Sequence, residues 1–101
     1  MTAAELARRL AAERVVELEG AENTELLARA RVVREADTGI AGAIRILEID
    51  DMVLVQEHTQ DRRPVVRRVP DLEAAGRFVE DRLATYDRMW DGCGCKVDPF
   101  D

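Results

Sequence analysis

The stretch "AIRILEIDDMVLVQEHT", from Ala43 to Thr59, constrains the fold more than any other. It is dense in Ile, Val and Leu, which favour a pleated strand, and it is interrupted once, by Asp50-Asp51. Aspartate tolerates the left-handed backbone that a tight turn demands, so the pair predicts a hairpin. With the turn there, Ile49 lies opposite Met52, Leu47 opposite Leu54 and Ala43 opposite His58. Ile44, Ile46, Val53 and Val55 then fall on the other face. Both faces are apolar near the turn, and such a hairpin needs cover on both sides.

The flanking segments predict the cover. From Ala3 to about Val16, Ala3, Leu6, Ala7, Leu10 and Ala11 recur at helical spacing, with Thr2 as N-cap, Glu5 completing a capping box and Gly20 as the stop. Leu26, Leu27, Ala30 and Val33 predict a second helix from about Thr24 to Ala36, capped by Asn23 or Thr24. Beyond the hairpin and the polar "QDRR", the segment from Pro64 to Val69 reads as a third strand, with Pro64 suited to a strand start or an edge. "PDLEAAGRFVEDRLATYDRMW" then predicts a long helix with Asp71 as N-cap, an apolar stripe from Leu72 to Trp90, and Gly92 as C-terminal cap.

The expectation is an α+β domain over residues 1–91: two N-terminal helices, a three-stranded antiparallel sheet and a long C-terminal helix, followed by a short cysteine-containing tail over 92–101. Two arrangements cover the hairpin. The helices split across the sheet, or a second copy adds a layer, and the second arrangement makes a homodimer the expected state.

Composition narrows the function. With 101 residues the chain has room for one core. A net charge of −6 argues against nucleic acid, and no apolar run approaches the ~20 residues that cross a bilayer. The N-terminal segment lacks the apolar stretch of a signal peptide, so a cytoplasmic protein without a membrane partner is expected. Serine is absent and His58 is the only histidine, which leaves few parts for nucleophilic or acid–base catalysis, and no catalytic set is expected.

The sharpest chemical feature is the pair Cys93 and Cys95 in "GCGC". Thiols flanking a glycine can chelate one soft ion, close a small disulfide, or lie idle in a tail. Reactive thiolates are acidified at helix N-termini or beside cations. This pair instead follows a helix C-terminus among Asp87, Asp91, Asp98 and Asp101, a setting that favours a bound cation over a free thiolate. Zinc needs further ligands, with His58 and Asp91 or Asp98 as candidates, or a second tail in a dimer; copper(I) accepts two sulfurs. The expected function is therefore a small accessory protein that binds a soft metal or handles sulfur, serving the assembly or maturation of a larger system.

Other readings remain. Dimerisation through the sheet, with the last helix and the tail docking a protein partner, would make the chain a non-catalytic interaction or small-subunit module. Tyr86, Met89 and Trp90 read first as packing residues, and Phe100 as an anchor for the tail. Finally, Arg62, Arg63, Arg67 and Arg68 in "DRRPVVRRV" can hold an anion or an acidic partner, or simply form a solvated loop and a charged edge strand.

Overall fold

The computed structural model describes residues 2–39, 42–60 and 62–93, with the side chains of 89–93 left out. In chain order the elements are α1 (Ala3–Ala12), β1 (Val16–Glu17), α2 (Gly20–Arg29), β2 (Arg31–Asp37), β3 (Ala43–Ile49), β4 (Met52–His58), β5 (Val65–Val69) and α3 (Leu72–Cys93).

The class is α+β, but the sheet has five strands in the order β1-β5-β4-β3-β2, which corrects the expected three. Every neighbouring pair is antiparallel. The hairpin register is the one read from the sequence: Ile49 opposite Met52, Leu47 opposite Leu54 and Ala43 opposite His58. Asp50 takes the left-handed conformation, φ 52°, that permits the turn.

The two missed strands have separate causes. Arg31 to Asp37 carries on the helical spacing of Leu26 and Leu27, yet it pairs along β3 as an edge strand. Val32-Val33 suits a strand better than a helix, and the ladder to β3 overrides the helical period. Helix α2 accordingly ends at Ala30, whose backbone is extended. It also starts earlier than expected: Gly20 opens α2 and does not close α1, and the Glu22 carboxylate accepts the Glu19 N–H at 3.0 Å. The other strand, β1, is only two residues long, too short to leave a period, and it pairs Val16 with Val66 and Glu17 with Val65. That pairing makes β5 an interior strand over its first residues, where an edge was expected.

The helices split across the sheet. Leu6 of α1 and Leu26 of α2 bury against Val16, Leu47, Met52, Leu54 and Val66 on one face. Ala75 and Val79 of α3 bury against Ile44, Ile46 and Val55 on the other. Both apolar faces of the hairpin are thus covered within one chain. Thr2 caps α1 by accepting the Glu5 N–H at 3.1 Å, and Asp71 caps α3 by accepting the Ala74 N–H at 2.8 Å, as expected for both. Helix α3 runs through Gly92 to Cys93, so Gly92 is not the terminal cap read from the sequence.

Two glycines serve the β2–β3 connection. Gly39 takes φ 84°, and a Cβ on Gly42 would stand 2.2 Å from the carbonyl oxygen of His58. Only glycine permits that approach. At the free edge, β2 carries Arg31, Arg34 and Glu35 and a register shift between Val32 and Arg34, features that blunt an edge against strand addition. Among the described residues no helix is long and apolar enough to cross a membrane.

Candidate anion-binding cleft

Strand alternation sends Gln56 and Glu57, adjacent in β4, to opposite faces, and each becomes the centre of a polar network. Gln56, fully buried, donates to Asn23 Oδ1 at 2.8 Å and accepts from Arg45 Nη1 at 3.0 Å. Its amide is satisfied, and it ties α2 to the sheet.

Glu57 is 5% exposed on the α3 face. Helix α3 returns along β5, which brings Arg82 and Tyr86, one helical turn apart, above it. Tyr86 Oη donates to Glu57 Oε2 at 2.6 Å, and Arg82 Nε and Nη2 reach the same oxygen at 3.0 and 2.9 Å. From β5, Arg67 Nη1 donates to Glu57 Oε1 at 3.2 Å. One carboxylate therefore holds two guanidiniums and a phenol. The rings fix the cations further: the Arg67 guanidinium carbon lies 4.9 Å from the centre of Phe78, and that of Arg82 lies 5.3 Å from the centre of Tyr86.

Burial alone would raise the pKa of Glu57, but the Tyr86 hydrogen bond and the two arginines outweigh it and hold the carboxyl below its ordinary value. Burial and the adjacent carboxylate both push the Tyr86 phenol up. Burial works against the charge of Arg82, and Glu57 more than restores it. The cluster is an ionised glutamate between two permanent cations.

Beside it lies a cleft of about 410 Å³. Arg67, Arg82, Tyr86 and Glu57 line its inner part, the loop residues Thr59, Gln60, Arg62 and Arg63 its mouth, and Val15 and Val65 its apolar flank. Arg63 reaches Glu17 only at 3.8 Å, with both side chains largely exposed. Arg62 has no ion-pair partner among the described residues. The described lining thus sets four arginines against one glutamate on a chain of net charge −6. Its chemistry is recognition of an anion.

Of the four arginines singled out in the sequence, Arg62, Arg63 and Arg67 meet here, and Arg68 lies exposed on the other face of β5. Sequence reasoning missed Arg82 and Glu57. The available signal was Glu57 itself, a charge in phase with Val53 and Val55 on a face that had to be buried.

The cysteine-centred set is not assembled among the described residues. His58 is half-buried at the end of β4, on the face opposite α3. Cys95, Asp98 and Phe100 lie outside the described residues, and the side chains of Asp91 and Cys93 are not described. Among the described residues no group of three or more His, Cys, Asp or Glu is placed to hold a metal ion.

Comparison with protein-family models, curated proteins and solved structures found no match.

Proposed function

We propose that this chain is a non-catalytic binding module whose arginine cleft takes an anionic group. One observation carries the reading: Arg62, Arg63, Arg67 and Arg82 converge on one cleft of an acidic chain, and Glu57, Phe78 and Tyr86 fix two of them before any ligand arrives. Held guanidiniums lose little freedom on binding, so more of the interaction appears as affinity. Among the described lining residues the hydroxyl–carboxylate contact is Tyr86 with Glu57, and there the phenol is pushed up while the carboxylate is already held by two arginines, which is why the reading is binding without catalysis.

Thermal melts with citrate, sulfate and phosphate at constant low ionic strength test it. A ligand present at 100 times its Kd stabilises the folded state by about 2.7 kcal/mol, which is visible as a raised Tm. Wild type should show the rise, and a double variant Arg62→Gln/Arg63→Gln should lose most of it. Equal melts with and without anions would refute the reading.

A second reading rests on the end of α3. Its last turn carries no basic residue to offset the negative end of the helix dipole where Cys93 begins the Cys-Gly-Cys pair. That field favours a soft cation, zinc or copper(I), on Cys93 and Cys95, with Asp91 or His58 adding a ligand, in a small cytoplasmic accessory protein. Metal analysis of untagged protein beside a Cys93→Ser/Cys95→Ser variant decides it: no stoichiometric metal in wild type rejects the site.

A further inference from the structure

We propose, building on the cleft reading above, that the ligand is a small phosphomonoester, bound as its dianion with the phosphoryl group between Arg67, Arg82 and the Arg62–Arg63 loop. Three observations converge on this class.

The first is charge. The described lining carries four cations and one carboxylate, and Glu17 stands 3.8 Å from Arg63, so these described groups leave two positive charges in excess. A monoanion matches one of these and a phosphomonoester dianion matches two.

The second is donor geometry. Glu57 takes Nη1 of Arg67 and Nε and Nη2 of Arg82. A guanidinium has five N–H donors, so Arg67 retains those on Nε and Nη2, and Arg82 retains those on Nη1. These come from β5 and from α3, and the loop arginines add a third direction. The three terminal oxygens of a phosphoryl group accept from several directions at once, whereas a carboxylate offers two oxygens in one plane.

The third is size and lining. About 410 Å³ lies in the range of small-molecule sites and exceeds the needs of an inorganic anion. Val15, Val65 and the Tyr86 ring supply an apolar flank for the organic part of an ester, and Thr59 and Gln60 supply polar contacts at the mouth. The chain carries a net charge of −6, which does not suit a nucleic-acid backbone.

Calorimetric titration of the full chain at pH 7.5 and low salt, with phenyl phosphate, phenyl sulfate, succinate and hexaglutamate, tests the ligand class. Phenyl phosphate should bind at least tenfold more tightly than the isosteric monoanion phenyl sulfate. Its affinity should fall as pH drops through the second phosphate pKa, near 6. Arg62→Gln/Arg63→Gln should weaken it by about tenfold or more, the size of one lost charge-assisted hydrogen bond, with the melting temperature retained. Phenyl sulfate binding as tightly as phenyl phosphate overturns the phosphomonoester. Arginine-dependent binding of succinate or hexaglutamate without phenyl phosphate also overturns it while leaving the cleft reading standing. No arginine-dependent binding by any probe overturns both.

Discussion

The two faces of the sheet differ in apolar extent and in how they handle charge. Under α1 and α2, Leu47, Leu54 and Val66 make a dry core, and the fully buried polar residue described there, Gln56, is neutral and satisfied by Asn23 and Arg45. Under α3 the apolar part is smaller, and beyond Val55 it gives way to an ionised glutamate, two arginines and a tyrosine. The first face is built for stability. The second trades apolar burial for fixed cations that open toward solvent, and that exchange makes sense where something anionic is to be held.

The largest break should come on the dry face. Leu54→Ala removes a fully buried side chain and should destabilise by about 2–5 kcal/mol in urea unfolding. Anion binding in the surviving folded protein should be unchanged.

Glu57→Ala breaks the other face and should cost somewhat less, about 2–4 kcal/mol, because Arg67 and Arg82 keep partial access to water. Here stability and binding should fall together, since both arginines lose their anchor. A variant that lost stability but kept full anion affinity would separate the latch from the cleft.

Titration sharpens the contrast, because the pKa shifts of this cluster lie on the α3 face. The folded pKa of Glu57 is depressed, so its contribution is present above the unfolded carboxylate value and is lost as pH falls below it toward the folded value. The folded pKa of Tyr86 is raised, so its contribution is present below the unfolded phenol value of 10.0 and is lost as pH rises past it. Tyr86→Phe should remove the alkaline limb of the stability profile and cost about 1–2 kcal/mol at neutral pH, read by urea melts across pH 7 to 11. An unchanged alkaline limb would place the titration elsewhere.

The smallest stability effect belongs to the mouth. Arg62→Gln and Arg63→Gln should each change unfolding free energy by no more than about 0.5 kcal/mol, since both side chains are exposed.

How much of this was legible in the sequence follows from which interactions are local. The hairpin register was readable because Asp50-Asp51 punctuates two runs of unmistakable strand residues. The caps at Thr2 and Asp71 were readable because a cap acts within four residues. β2 was misread because its apolar spacing is compatible with a helix and only its pairing with β3 decides. The arginines drew notice as a run, but what ties Arg67 of that run to Arg82 is Glu57, 10 residues from the first and 25 from the second. No local pattern announces such a partnership. It follows only once β5 and α3 are known to lie on the same face of β4.

The central claim is that this cleft binds an anion through four particular arginines. Nuclear magnetic resonance of the arginine Nε–H groups, followed while phenyl phosphate is added to the full chain, tests it most directly. The account predicts that Arg62, Arg63, Arg67 and Arg82 shift together along one saturable curve while Arg31 and Arg45, paired with Glu48 and Glu35 away from the cleft, stay still. Small, unsaturable shifts spread evenly over all the arginines would contradict it.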